Sequence, residues 1–343
     1  MERNRSIAGP VHRGAVVGLN RFTWHGGGLA AARAQFGDGP WLDLSTGINP
    51  CPWPQAGALA AAVDWQALPD ESALRGLEQA AAARFGCAAD HVCAVPGTEI
   101  GLRLVGDLIG GGGCHAVPGY RTHAAMLRAS VAVDDLAQAH GTSLVLANPN
   151  NPDGRLLTRA MLRNLLHRRG DNGWLLLDEA FADAHPQASL AGDIADAQRL
   201  VIFRSFGKFF GLAGLRLGFV LGPRALLAAL RAQLGAWPLC AAALAVGEAA
   251  YRDAIWIADA RAALQERAAR LDAVLRGKGY TVGGACPLFR LVRGVDGAAL
   301  FDHLAQQHIL TRPFADQPDW LRLGLPGDAA GLARLVQALP SHG

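Results

Sequence analysis

The chain has 343 residues, 51% of them hydrophobic and 18% charged, which is enough for a large core and more than one folding unit. Its 32 basic and 29 acidic side chains leave a formal net charge of +3 with no basic cluster, which argues against nucleic-acid and bilayer partners. Six cysteines without a C-x-x-C pair and eleven histidines without H-E-x-x-H point to neither a disulfide framework nor a metal site.

The amino terminus opens with charges rather than a secretory apolar core, and the apolar run near Trp237–Val246 is too short to span a membrane, so a soluble cytoplasmic protein is expected. Residues 1–40 are Gly-rich and irregular, and read as an arm. From residue 41 to about 225, short apolar strands alternate with helical patterns, which predicts a large α/β unit with a mostly parallel sheet. Strands are expected near Val92–Val95, Cys114–Val117, Ser143–Ala147, Trp174–Asp178, Leu200–Ser205 and Leu217–Val220. Helices are expected near Thr98–Ile109, Arg121–Ala129 and Thr158–Arg168. Gly110–Gly113 follows a helix and precedes a strand, the reverse of a phosphate loop, and reads as a turn. Beyond Pro223 the pattern is helical to about Leu275. Strands near Leu288–Val292, Ile309–Arg312 and Trp320–Gly324, with helices near Gly297–Gln307 and at the end, then make residues 226–343 interdomain helices and a smaller α+β unit.

In such sheets ligands sit beyond the carboxyl ends of the strands, and several predicted strand ends carry polar residues. Only two of the 32 basic residues are lysines, Lys208 and Lys278. A lysine kept where arginine is the rule has a task arginine cannot do, and forming an imine is one. Lys278 lies in a turn-like Arg-Gly-Lys-Gly-Tyr and reads as solvated. Lys208 lies in Arg-Ser-Phe-Gly-Lys-Phe-Phe-Gly-Leu-Ala-Gly-Leu-Arg, where Ser205 and Arg216 can hold a phosphate while the amine reaches an aldehyde. Asp178 ends an apolar strand, a placement suited to a pyridinium nitrogen or simply to capping a turn. Asn151 sits in a Pro/Asn/Gly turn after a strand. Gly97 and Thr98 open a helix, whose N–H groups favour an anion. Tyr120, one of three tyrosines, follows another strand.

Taken in order, Gly97-Thr98, Tyr120, Asn151, Asp178, Ser205-x-x-Lys208 and Arg216 closely resemble the fold-type I pyridoxal-phosphate (PLP) enzymes, the aspartate-aminotransferase superfamily. The resemblance covers nearly the whole chain. It implies pyridoxal 5'-phosphate as cofactor, bound by Lys208 as a Schiff base, with Asp178 on the ring nitrogen and Asn151 on the ring oxygen. Tyr120 would stack on the ring, and Gly97, Thr98, Ser205 and Arg216 would take the phosphate. Lys208, Asp178 and Tyr120 are then the catalytic candidates. Arg312 and Arg322 resemble the family's substrate-binding arginines, and His25 and Asn49 join them as candidate substrate contacts. A homodimer is implied.

Within the superfamily, His25-Gly-Gly-Gly followed by Trp41-Leu-Asp-Leu-Ser-Thr-Gly-Ile-Asn49-Pro is similar to the opening of the L-threonine-O-3-phosphate decarboxylases of cobalamin biosynthesis. It is less similar to that of histidinol-phosphate aminotransferases. Carbon dioxide loss from a phosphorylated amino acid is therefore the expected reaction, transamination of the histidinol-phosphate type the alternative, and a non-catalytic PLP-fold sensor a third. Two positions depart from the pattern. Phe181 stands where the aminotransferases usually have tyrosine, and Leu68 where relatives often present tyrosine to a neighbouring subunit.

Overall fold

A computed structural model describes residues 16–170 and 172–342. The strands are β1 (Leu42–Asp43), β2 (Val92–Val95), β3 (Gly112–Ala116), β4 (Ala129–Val133), β5 (Ser143–Ala147), β6 (Leu175–Asp178) and β7 (Leu200–Ser205). They continue with β8 (Gly218–Leu221), β9 (Thr281–Gly283), β10 (Phe289–Arg293), β11 (Ile309–Leu310), β12 (Arg312–Pro313) and β13 (Trp320–Gly324).

Seven strands form one sheet in the order β2-β8-β7-β6-β5-β3-β4. Six run in the same direction, and β8 runs against its neighbours β2 and β7. The inner strands β5, β6 and β8 are buried at every position, the continuous apolar runs expected of a sheet covered on both faces. A second sheet, β12-β13-β10-β9, is antiparallel throughout. The α/β class and the smaller α+β unit expected from the sequence are both present. β1 pairs in parallel with β11, which ties residues 42–43 to the carboxyl-terminal unit.

Several local expectations are corrected. The segment 16–36 is not irregular: it forms helices Val16–Thr23 and Leu29–Phe36, while residues 1–15 of the proposed arm lie outside the described residues. A helix at Glu71–Phe85, begun by Asp70 accepting from the Ser72 amide and ended by Gly86 in the left-handed region, was not read from the sequence. The helix after Tyr120 stops at Met126, and Ala129 begins β4 instead. The long helical stretch is three helices, Arg224–Leu234, Ala241–Arg252 and Ala254–Gly277. The first break holds Gly235 and Trp237 at positive φ, and Asp253 accepts from the Trp256 amide to start the third.

Beneath the carboxyl ends of β6 and β7, Arg204 is buried between Glu179 (3.0 Å) and Asp183, with its guanidinium 4.4 Å from the Phe85 ring centre. Glu179 also accepts from Ser189 and from the Leu190 amide. Removing one member of such a network leaves the others charged in a dry interior. Arg204→Met is expected to cost about 3–5 kcal/mol of stability, read as a lower urea midpoint, whereas a loss below about 1 kcal/mol would show the network to be weakly coupled to the fold.

Candidate active site

The topology delivers the polar strand ends to one edge. β2, β3, β5, β6 and β7 all finish there, and β8, running the other way, begins there. A cavity of about 340 Å³ opens at this edge. Gly97, Thr98, Tyr120, Asn151, Asp178, Ser205, Lys208 and Arg216 all line it. His25, Arg312 and Arg322 line it from the amino-terminal segment and the small sheet. Eleven of the twelve residues singled out in the sequence are thus brought together.

Lys208 lies in the short helix Phe206–Phe209 that follows β7. Burial, then the nearby Arg322 charge, holds its amine down to about 8 from an ordinary 10.5, while Asp178 pulls the other way. Asp178, the last residue of β6, is buried, and its two oxygens are held from behind. His123 Nε2 lies 3.0 Å from Oδ2, and the Ala180 amide donates to Oδ1 at 3.0 Å. Tyr120 donates its hydroxyl to Glu99 at 3.1 Å, and burial pushes its phenol up to about 12. Glu99 also accepts from Thr122 at 2.8 Å and pairs with Arg103, so the Tyr120 ring is fixed by its far end.

Thr98 starts a twelve-residue helix behind Gly97, whose φ of 91° favours glycine. The first N–H groups of that helix have no intrahelical partners. A Cβ built on Gly97 would lie 2.6 Å from Nη2 of Arg216, so the guanidinium occupies the space glycine leaves. Arg216 itself holds a left-handed backbone, φ 55°, uncommon for a side chain of its size and typical of functional sites. These features fit a phosphate bound by Arg216, Ser205 and the Gly97–Thr98 turn. Lys208, Asp178 and Asn151 line the same cavity and supply the amine, carboxylate and amide that a pyridoxal phosphate aldehyde, ring nitrogen and ring oxygen require.

The small sheet adds an unusual pair to the cavity lining. Arg312 of β12 and Arg322 of β13 are register partners on adjacent strands, both side chains substantially enclosed. Like charges directly opposite one another repel. Arg322 donates to Asn151 Oδ1 at 2.6 Å and to the Ser45 carbonyl at 3.0 Å, and Arg312 donates to the Trp24 carbonyl at 3.1 Å. Neither meets a carboxylate among the described residues, and both Nε atoms are buried without a partner. Burial lowers Arg312 to about 10 and Arg322, also facing Arg312, to about 9.

Asn49 is the exception among the predicted contacts. It is buried outside the cavity lining, donating to the Phe209 carbonyl at 3.0 Å and accepting from the Cys51 amide, while its own amide donates to the Lys208 carbonyl. Its groups are spent on the backbone that carries Lys208, which makes it a positioning residue rather than a substrate contact. His123 and Glu99 were missed. The spacing Tyr120-x-x-His123 puts both on one face of a helix turn and could have suggested a shared site. Phe181 lines the cavity with its ring 5.2 Å from that of Phe289, and Leu68 is exposed.

The model of the family described as aminotransferase class I and II matches residues 117–339. The chain is 43% identical to a threonine-phosphate decarboxylase of Sinorhizobium sp., over 92% of this chain and 97% of that protein. It is 41% identical to a threonine-phosphate decarboxylase of Pseudomonas aeruginosa, over 93% and 99% of the two chains. Its fold superposes on the crystal structure of histidinol-phosphate aminotransferase from Sinorhizobium meliloti in complex with pyridoxal-5'-phosphate with a TM-score of 0.80, at 22% identity, covering 91% and 93% of the two chains.

Proposed function

The chain belongs to the class I and II aminotransferase family, and we propose that it decarboxylates L-threonine O-3-phosphate to (R)-1-amino-2-propanol O-2-phosphate, using pyridoxal 5'-phosphate. The observation that carries the substrate class is the facing pair Arg312 and Arg322, enclosed without a carboxylate and additional to Arg216. Such a pair calls for substrate anions, and a phosphorylated amino acid brings two. Likeness to two threonine-phosphate decarboxylases over almost the whole chain supports decarboxylation rather than amino transfer.

When bound, pyridoxal phosphate supplies an electron sink for the pair left on Cα as carbon dioxide departs. Lys208 would hold it covalently through Nζ. Asp178, kept in place by His123, would keep the ring nitrogen protonated. Asn151 gives Oδ1 to Arg322, which leaves Nδ2 as the donor toward the ring oxygen. Thr98, Ser205, Arg216 and the Gly97–Thr98 backbone would hold the phosphate, and Tyr120, anchored by Glu99, would support the ring face. Arg322 and Arg312 bind and orient the substrate's anions. Lys208 Nζ, freed when the substrate's amine takes its place and carrying the proton that amine gives up, would then return a proton to Cα, a task suited to an amine titrating near 8. We assign residues 41–225 to a large cofactor-binding domain and 226–343 to interdomain helices and a small carboxyl-terminal domain, in a cytoplasmic homodimer serving cobalamin biosynthesis. Among the described residues no helix is long and apolar enough to cross a membrane.

The test is carbon dioxide release from L-threonine O-3-phosphate by PLP-loaded protein without a keto acid. Release supports the reading. Its absence, together with amino transfer from histidinol phosphate to an added keto acid, would replace it with the aminotransferase function.

The lowered amine makes a second expectation. Lys208 is an unreactive ammonium below its pKa and a free base above it, so the pH at which it becomes reactive falls with that pKa. The rate at which cofactor-free protein captures PLP is expected to rise about tenfold per pH unit up to about 8, then level off. Stopped-flow absorbance gives the profile, and a rise continuing past pH 10 would show an ordinary lysine.

A further inference from the structure

Trp24 precedes His25 at the cavity mouth and is 60% exposed. Its two halves hold two different guanidiniums. The indole carries Arg121, whose Cζ lies 4.3 Å from the ring centre. The carbonyl accepts from Arg312 Nη2. Arg121 follows Tyr120 in the chain, so one cation comes from the large sheet's edge and the other from the small sheet.

Arg121 forms no ion pair among the described residues. The carboxylate that faces this corner, Glu99, is already engaged by Arg103, Tyr120 and Thr122. The cluster feels its own charge. Burial first, then Arg312 and Arg121, depress the His25 imidazole, with Glu99 opposing, and Arg121 is the leading charge acting on Arg312. Three cationic or potentially cationic groups therefore converge with no anion of their own.

The two ends of the substrate-facing wall differ in their relation to Lys208. Arg322 lines the cavity with Lys208 and is the leading charge acting on it, whereas Arg121 lies outside the cavity lining, against Trp24 and beside Arg312. A carboxylate is attached directly to Cα, where Lys208 works. The phosphate of threonine phosphate sits farther out, carries more charge and offers more acceptor oxygens, so it suits several guanidinium forks.

We propose that Arg121, presented by the Trp24 indole, is a specificity-determining contact that takes the substrate's phosphate together with Arg312, while Arg322 takes the carboxylate. The assignment rests on the decarboxylase reading of the site. Trp24 is the positioning residue of this corner, organising Arg312 through its backbone and Arg121 through its ring.

Steady-state kinetics of the PLP-loaded enzyme test it. Arg121→Ala is expected to raise KM for L-threonine O-3-phosphate roughly 10- to 30-fold, with kcat falling less than about threefold. Arg121→Lys should fall between, and Trp24→Leu should reproduce part of the loss. Arg128→Ala, which removes an exposed charge seven residues on, should leave KM near wild type. Inorganic phosphate, used as a competitive inhibitor, should weaken in Arg121→Ala by a similar factor. Binding of L-threonine, which lacks the phosphate and is followed by cofactor absorbance, should not change. A KM within twofold of wild type in Arg121→Ala, or equal weakening of L-threonine, overturns the assignment. If wild type releases no carbon dioxide from threonine phosphate, the decarboxylase reading fails instead, and the inorganic phosphate comparison still decides whether Arg121 binds phosphate.

Discussion

Lys208→Ala is expected to lower carbon dioxide release by roughly a thousandfold or more, because it would remove both the proposed covalent attachment and the proposed proton donor at Cα. No other side chain can substitute. The remaining lysine, Lys278, caps the helix Ala254–Gly277 and does not line the cavity. Arginine at 208 would keep the charge and still fail, since guanidinium does not form imines at neutral pH. Lys208→Arg and Lys208→Ala should therefore behave alike, and both should lose the visible absorbance that marks a lysine-bound cofactor. Lys278→Arg should be silent. Turnover surviving in Lys208→Ala at more than a tenth of wild type would remove Lys208 from the chemistry altogether.

Asp178→Asn is the second large effect. The residue is buried at the end of β6, so its charge is little screened by water. At an effective dielectric of about 20, opposite charges about 4 Å apart attract by about 4 kcal/mol. Losing that term at the moment negative charge moves into the ring corresponds to roughly a thousandfold in kcat. The amide is nearly isosteric, and the Ala180 amide can still bond Oδ1, so the fold should persist with a similar melting temperature. Cofactor should still bind through Lys208 and Arg216. A variant with normal cofactor content and a kcat within about threefold of wild type would show that Asp178 serves only to hold His123 and the following turn.

How far the site could be read from sequence depended on whether a residue's role is written in its own neighbourhood. Lys208 stood out by composition, and Asp178, Asn151 and Ser205 by their position at the ends of apolar strands, because parallel strands deliver their carboxyl ends to one edge. His123 and Glu99 act by reaching residues that are distant in sequence or in function, Asp178 in one case and Tyr120 in the other. The spacing of Tyr120 and His123 places them together but does not announce the partner each one reaches. Asn49 misled for the opposite reason: its motif lies next to the site, but its side chain turns to the backbone of Phe209. The fold shows the same division. Buried strands were legible because they are continuous apolar runs, while β4, exposed at three of its five positions, carried too weak a pattern. The breaks in the helical stretch 224–275 came from a Gly235–Pro238 corner and an Asp253 cap, which the long apolar periodicity masked.

The pairing of β1 with β11 has a bearing on any attempt to exchange specificity between relatives. Thr311 alone separates β11, which holds the amino-terminal strand, from β12, which carries Arg312. Trp24 and His25 precede β1 by fewer than twenty residues, and the Trp24 carbonyl accepts from Arg312. The proposed recognition is thus shared by the two ends of the chain, with Arg121 between them in sequence, and rejoined in space. A chimera that grafts only residues after 280 would import both arginines and strand them against a foreign amino-terminal segment. A working transplant has to carry residues 16–49 and Arg121 along with the small sheet, leaving the rest of the lysine-bearing half as the common chassis.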